Sequence, residues 1–253
     1  MDFNDIVDSI SIKPYYLDRD AGQAIYCSDC RLVLPLFPDK SFDLVLTDPP
    51  YGFGISKLSW GDKGYSKISE IWDELDNDWL GLVKARSILC FMGYKGLGEY
   101  LSKGRELNYK LNDIIVWDKI NTMPNITARG YQFTVEFLIW WTTESNWEWN
   151  AKQKRDILRF TWSQGNDKRC HPSEKPTSII NDILVTHSNQ NSLILDPFLG
   201  SGTTAVCAKK LGRKCVGIEI SEEYCAIAVK RLSQSVMQFN EPQNNNTEQK
   251  SLI

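Results

Sequence analysis

The sequence predicts an α/β protein built on a mostly parallel sheet flanked by helices, and three observations lead there. Short apolar, β-branched runs recur along the chain. Segments with three- and four-residue apolar spacing lie between them, as strand–helix alternation requires. Two of the runs also end on an acidic residue at a chain-breaking turn. Phe42–Thr47 runs into Asp48-Pro49-Pro50-Tyr51, and Leu193–Leu195 runs into Asp196-Pro197-Phe198-Leu199-Gly200-Ser201-Gly202. Proline cannot continue a sheet, so each carboxylate is expected just beyond a strand end, the edge where open α/β sheets bind ligands.

In chain order, strands are expected over Ala24 to Cys27, ending at Asp29, and over Phe42 to Thr47, ending at Asp48. Others are expected over Ser87 to Phe91, Asp113 to Trp117, Val135 to Trp141, Leu193 to Leu195 and Lys214 to Ile218. Ile68, Ile71, Trp72, Leu75, Trp79, Leu82 and Val83 form one apolar helical face. Thr203 to Leu211 reads as a helix stopped by Gly212. Ser221 suits the N-cap of Glu222 to Leu232, with two glutamates in the positive first turn. Gln238 to Ile253 is rich in Asn and Gln with almost no core residues, which predicts a disordered tail.

At 253 residues, 42% hydrophobic and 24% charged, the chain suits one large soluble domain. A net charge of -3 argues against a generally basic surface, so any polyanion must be held by a local patch. No apolar run approaches the roughly 20 residues of a membrane span, and the start Met1 to Asp5 predicts no secretory signal. Seven cysteines, several inside apolar runs (Cys90, Cys207, Cys215, Cys225), suit reduced thiols in the cytoplasm better than a disulfide framework. Cys27-x-x-Cys30 stands alone, and His171 and His187 are the only histidines, so no metal site is expected.

Gly200-Ser201-Gly202-Thr203-Thr204 lies between a strand and a helix, where glycines admit a ligand to the backbone and the helix start offers unpaired N–H groups. The next strand ends in Glu219, placed to bind two ribose hydroxyls. Phosphate fits poorly, because the Gly-Lys-Ser/Thr ending of a P-loop is missing and Asp196 would repel it. Asp196 suits a positive amino group instead. A nucleoside carrying an amino acid, such as S-adenosylmethionine, meets these demands.

Asp-Pro-Phe-Leu-Gly-Ser-Gly-Thr-Thr (196–204) and Thr-Asp-Pro-Pro-Tyr (47–51) resemble the cofactor and catalytic motifs of the amino-group DNA methyltransferases. The catalytic motif comes first and the cofactor motif last, a permuted order similar to the beta class of that family. Asn112 to Lys119 is similar to the family's strand ending in Trp-x-Lys, and His171-Pro172-Ser173-Glu174-Lys175-Pro176 to its His-Pro-x-x-Lys-Pro element. Tyr26 to Cys30 is similar to its strand ending in Gly-Asp-Cys, with Ser28 in place of glycine. The resemblance covers about Ala24 to Leu232. It implies a Rossmann-like methyltransferase fold over 1–237, with a short target-recognition segment at 144–170.

The resemblance further implies that Asp196 lies near the methionine amino group, with Phe198, Gly200, Ser201, Gly202 and Thr203 around the pocket. Glu219 would hold the ribose, Asp29 the adenine amino group, and Lys175 and Thr177 the methionine end. Plainer readings stand beside these: Lys175 as a surface lysine, Phe198 as core, Asp29 as a turn residue.

For catalysis, Asp48 and the Pro49 carbonyl can accept both hydrogens of an exocyclic amine, favouring the tetrahedral nitrogen that attacks. Pro50 stiffens the turn, and Tyr51 offers a face for an extruded base. A sulfonium donor permits direct displacement, so orientation and electrostatics supply most of the acceleration. Methylation at cytosine carbon 5 would need a nucleophilic cysteine after a proline, and none of the seven has that neighbour. Asp rather than Ser at position 48 leans toward adenine N6 over cytosine N4.

Ala151 to Cys170 carries Lys152, Lys154, Arg155, Arg159, Lys168 and Arg169 against Asp156 and Asp167, a net +4 in an acidic chain. This is the segment expected to bind phosphates of double-stranded DNA, with Trp162, Ser163, Gln164 and Asn166 reaching the bases. Gly52–Tyr65 and Arg129-Gly130 are further candidates. A homodimer and a cognate restriction endonuclease are partners the resemblance admits. The alternatives are an RNA or protein acceptor, disfavoured by the motif order, and an inactive DNA-binding homologue, disfavoured by intact Asp48, Tyr51, Asp196 and Glu219.

Overall fold

The computed structural model describes residues 2–51, 76–121, 131–161 and 174–237. Nine strands form one sheet: β1 (Tyr16–Asp18), β2 (Gln23–Cys27), β3 (Phe42–Thr47), β4 (Ala85–Met92), β5 (Lys110–Lys119), β6 (Val135–Thr142), β7 (Ile157–Phe160), β8 (Leu193–Asp196) and β9 (Lys214–Glu219). Their order across the sheet is β1-β2-β9-β8-β3-β4-β6-β5-β7. β1 and β6 run against their neighbours, and the other contacts are parallel.

Helices α1 (Phe3–Asp8), α2 (Cys30–Val33) and α3 (Leu97–Glu106) cover one face, and α4 (Thr177–His187), α5 (Thr203–Lys210) and α6 (Glu222–Met237) cover the other. Strand alternation feeds both layers. Val45, Ile88 and Cys90 point into the first core, and Leu44, Leu46, Leu89 and Phe91 into the second. The helix faces match: Cys225, Ala228 and Leu232 of α6 are buried at three- and four-residue spacing. Ser221 caps α6 through Tyr224 N at 3.4 Å, and Gly212 at φ +72° ends α5, as the sequence leads one to expect.

The chain leaves β3 toward β4 and leaves β8 toward β9, in opposite directions across the sheet. Between the adjacent strands β3 and β8 lies the crevice that ligands of open α/β sheets occupy. Asp29, Glu219, Asp196 and Asp48 follow or end β2, β9, β8 and β3, so four carboxylates stand along one edge of four consecutive strands.

The elements differ from expectation in three places. Asp78–Leu82 is a 3-10 turn with Trp79 and Leu80 buried, where the apolar spacing of Ile68 to Val83 predicts an α-helix; residues 68–75 lie outside the described ones. β1 is a three-residue edge strand with no sequence signal. β7 falls inside the segment read as an insertion, pairing in parallel with β5 from Val116↔Ile157 to Lys119↔Phe160. The chain before it is also part of the body, because Trp147 and Trp149 pack on Trp140 and Asn150 bonds the end of α4. Leu158 is buried between exposed Ile157 and Arg159, the half-buried pattern of an edge strand. The tail at 238–253 lies outside the described residues.

No helix among the described residues is long and apolar enough to cross a membrane. The cysteines Cys27, Cys30, Cys90, Cys207, Cys215 and Cys225 are free. Among the described residues no group of three or more His, Cys, Asp or Glu side chains could hold a metal ion.

Candidate active site

β3 delivers Asp48 to the sheet edge, and Pro49 and Pro50 turn the chain so that Tyr51 folds back. Tyr51 Oη donates to Asp48 Oδ1 at 2.5 Å and lies 3.2 Å from Glu136 Oε2. Lys175, just ahead of α4, places Nζ on Asp48 Oδ2 and 3.3 Å from Glu136 Oε2. Lys119 at the end of β5 closes the group, 2.5 Å from Glu136 Oε1. Two carboxylates and two ammonium groups thus form a neutral cluster at the end of the sheet. Burial of this kind is tolerable only when charges are paired.

The surroundings tune each member. Burial raises the Asp48 carboxyl above the usual range, with Glu136 adding repulsion and Lys175 opposing it. For Glu136, burial pushes upward, but Lys175 and Lys119 outweigh it and hold the carboxyl below its ordinary value. Burial favours a neutral Lys175, yet Asp48 and Glu136 outweigh it and raise its pKa, so the ammonium persists. That ammonium also stands 5.3 Å from the Tyr51 ring centre and 5.2 Å from that of Phe91.

On the neighbouring strand Asp196 is 3% exposed, and burial pushes its carboxyl up to about 6. Its Oδ1 accepts from Thr47 Oγ1 at 2.8 Å and from Phe198 N at 3.1 Å, and it makes no ion pair among the described residues. Phe198 meets Trp79 edge-on, with ring centres 5.3 Å apart. Gly200 sits at φ +53° with nothing within 4 Å of an added Cβ, whereas Gly202 at φ +86° would drive a Cβ to 2.7 Å from that of Ala228. Glu219 bridges this turn: Oε2 accepts from Gly200 N and Oε1 from Ser221 N, both at 2.8 Å.

Several expected site residues carry structural duties. Asp29 is the N-cap of α2, accepting from Arg31 N at 2.9 Å, and the Arg31 guanidinium holds its carboxyl below the usual range. Ser201 and Thr203 present their hydroxyls to Arg231 Nη1 at 2.8 and 3.1 Å, so their side chains brace the turn. Arg231 is itself paired with Glu174 at 2.6 Å. Thr177 opens α4. Lys175 contacts Asp48, not the glycine turn.

Part of the basic segment is engaged within the protein. Lys154 Nζ is spent on Asp182 Oδ2 at 2.5 Å and Thr186 Oγ1 at 2.8 Å, tying the chain to α4, and Arg159 pairs with Asp118 at 3.2 Å. Lys152 and Arg155 are exposed. Lys168, Arg169, Trp162, Ser163, Gln164, Asn166, His171, Arg129, Gly130 and the loop 52–66 lie outside the described residues.

Sequence reasoning passed over Thr47, Glu136 and Arg231. An acidic residue at the second position of an otherwise apolar strand is the signal that marks Glu136.

Acidic strand ends around an open glycine turn, beside a paired carboxylate and tyrosine, define an S-adenosylmethionine-dependent methyltransferase. The chain belongs to the DNA methylase family of N6/N4 amino-methyltransferases, whose profile matches residues 42–230. It is 31% identical over 252 residues to the type II methyltransferase M2.LlaDCHI of Lactococcus lactis subsp. cremoris, spanning 87% of this chain and 92% of that one. The type II methyltransferase M2.MboI of Moraxella bovis is 29% identical over 253 residues, spanning 87% and 91%. The crystal structure of the M1.HpyAVI–SAM complex superposes with a TM-score of 0.65 at 28% identity, covering 83% of this chain and 98% of that one.

The residues fit S-adenosylmethionine. Asp196, a buried carboxylate with no ion pair among the described residues, answers an amino acid ammonium, and the backbone at Gly200 faces open space that a ligand can approach.

Proposed function

We propose that the chain methylates the exocyclic N6 of adenine at a specific site in double-stranded DNA. The observation that carries this reading is the Asp48 carboxylate, held at the end of β3 beside Asp196 on β8. S-adenosylmethionine supplies the methyl group on a sulfonium. Asp196 pairs with an ammonium, Glu219 keeps lone pairs for ribose hydroxyls, and the Gly200–Gly202 backbone lines the turn with Phe198 behind it. Asp29 and Thr177 are assigned to the rim of the same pocket, and Lys175 to the boundary between it and Asp48.

Asp48 and the Pro49 carbonyl accept the two amine hydrogens and turn the nitrogen lone pair toward the methyl carbon. Asp48, kept basic by burial, then stabilises the positive charge that grows on nitrogen. Tyr51 supplies the face for a base drawn out of the duplex. Asp at position 48 supports adenine.

For the duplex, the same edge offers a stacked aromatic pair, Tyr94 and Phe133, with ring centres 5.6 Å apart. A groove of about 520 Å³ lies alongside, lined by Lys119, Gln132, Thr134 and Arg159 among others. Lys152, Arg155, Lys168 and Arg169 are assigned to phosphates, within a target-recognition segment over 144–170 of a 1–237 catalytic domain. The free cysteines support a cytoplasmic setting. The type II designation of the relatives supports a cognate restriction endonuclease.

Single-molecule sequencing of DNA from a methylation-free bacterial host expressing the chain tests this, with Asp48→Ala alongside. The expected result is methyl-adenine at one short motif, reduced about a thousandfold in the variant while cofactor affinity stays within a few fold. Methyl-cytosine at N4 would overturn the base assignment, and full activity in Asp48→Ala would sink the mechanism.

A further inference from the structure

We propose that Glu136 is a positioning residue for the transfer: it is the second seat of the Lys175 ammonium and, by taking that ammonium, frees Asp48 for the target amine. The inference rests on the methyl-transfer reading above and assigns a role within the same site.

In the present structure Asp48 is engaged on both oxygens by its own protein. Tyr51 Oη occupies Oδ1 at 2.5 Å and Lys175 Nζ occupies Oδ2. The ammonium also lies over the Tyr51 ring, 5.3 Å from its centre, on a face that a base would use for stacking. An incoming amine therefore competes with Lys175 for the carboxylate and for the aromatic surface together.

Lys175 cannot simply withdraw. Its side chain is 9% exposed, and a buried ammonium without a counter-charge is strongly disfavoured. Glu136 removes that obstacle. Its Oε2 is 3.3 Å from the same Nζ and 3.2 Å from Tyr51 Oη, so a movement of a fraction of an ångström passes either group from Asp48 to Glu136. Glu136 is fixed for this purpose: its side chain is 15% exposed, its backbone pairs with Trp117 in β5, and its Oε1 is held by Lys119 at 2.5 Å.

The charges work out in the same sense. With Lys175 on Glu136, one carboxylate serves two ammonium groups, and Asp48 stays ionised through the still-adjacent ammonium, Tyr51 Oη and the amine hydrogens it accepts. Asp48 then faces a neutral amine that becomes cationic as it attacks, so the released charge acts where the transition state needs it. Without the Glu136 charge, Lys175 has one carboxylate to turn to and stays on Asp48. Lys119 adds nothing to hold it there.

The test is a double-mutant cycle on the full chain, read by steady-state methylation of a duplex bearing its target site, with cofactor affinity and thermal midpoint measured on every protein. Glu136→Gln is expected to lower kcat about tenfold or more, with the KM for DNA and the Kd for S-adenosylmethionine within about twofold of wild type. Glu136→Asp is expected to recover part of the loss. In a Lys175→Met background the same Glu136→Gln change is expected to leave kcat where Lys175→Met alone puts it, because there is no ammonium left to seat. A purely structural role predicts otherwise: a weakened Kd and an equal kcat loss in both backgrounds, whereas a lowered thermal midpoint follows from the unpaired Lys119 in either case. That pattern, or an undiminished kcat in Glu136→Gln, would overturn the assignment while wild-type activity keeps the methyltransferase reading intact. A wild-type chain that transfers no methyl group would overturn the reading itself.

Discussion

Thr47 Oγ1 donates a 2.8 Å hydrogen bond to Asp196 Oδ1, joining two strand ends 149 residues apart. Thr47 is the last residue of β3 and the neighbour of Asp48, and Asp196 is the last residue of β8. The parallel pairing Leu44↔Ile194 and Val45↔Leu195 brings them within one residue of each other along the sheet. The carboxylate expected to hold the cofactor is thus one side chain away from the backbone that carries the carboxylate proposed for catalysis. A shift in either strand end is felt at the other, which suits a reaction that needs donor and acceptor aligned within tenths of an ångström.

Asp196 is expected to make cofactor binding depend on pH. Its folded pKa of about 6 is above the usual carboxylate value because burial disfavours the charged form. Pairing with an ammonium favours that form, so the complex binds fewer protons at this group than the free protein. Affinity for S-adenosylmethionine is therefore full above pH 6 and weakens as pH falls below it, by up to about tenfold per pH unit. Calorimetric titrations between pH 7.5 and 5 check this. Asp196→Asn is expected to bind weakly and with little pH dependence, and a flat wild-type profile would contradict the pairing.

The two glycines of the turn separate stability from binding. Gly202→Ala combines a left-handed φ of +86° with a Cβ 2.7 Å from Ala228 Cβ, so it is expected to cost about 2–4 kcal/mol. Ala228→Gly in the same chain is expected to recover part of the steric cost, because the Ala228 Cα remains at 3.1 Å, making the pair less damaging than the sum of the singles. Gly200→Ala meets nothing within 4 Å and is expected to cost only the roughly 1 kcal/mol of its conformation, yet to weaken cofactor binding by placing a methyl group in the open space beside the turn. Urea unfolding and cofactor titration on the same variants decide the matter. Equal effects of both glycines on stability would refute the division.

Much of this site is legible in the sequence because it sits at strand ends. β3, β8 and β9 are apolar runs, and the acidic residues that end or follow them (Asp48, Asp196, Glu219) must fall on one edge of a parallel sheet. What stays hidden depends on partners distant in sequence. Six cations within Ala151–Cys170 suggest a polyanion, but Lys154 answers Asp182 on a helix 28 residues further on. β7 is concealed because an edge strand of four residues buries only Leu158 deeply. Glu136 reads as an ordinary strand entry until Lys175, Tyr51 and Lys119 are seen to converge on it. Ser201 and Thr203 carry the motif, yet Arg231 on α6, which takes their hydroxyls, carries none.

His187 gives the fold a pH limit of its own. The ring is 4% exposed at the end of α4, 4.7 Å from the Trp140 ring centre and 5.3 Å from that of Trp149. Its Nδ1 has no hydrogen-bond partner among the described residues. Burial, with Lys154 nearby, drives its pKa down to about 3, so the folded protein keeps it neutral. The unfolded chain takes up a proton near pH 6.5. The stability that His187 contributes is thus fully present above pH 6.5 and is lost as pH falls toward 3, at up to about 1.4 kcal/mol per pH unit. Asp196 acts with the opposite sign between its ordinary value and about 6, so wild-type stability alone mixes the two. Comparing wild type with His187→Phe, which retains an aromatic ring against both tryptophans, removes every contribution common to both. The variant is expected to gain on wild type by about 2 kcal/mol between pH 7.5 and 5, read from urea midpoints at each pH. A constant difference across that range would mean that His187 titrates alike in the folded and unfolded protein.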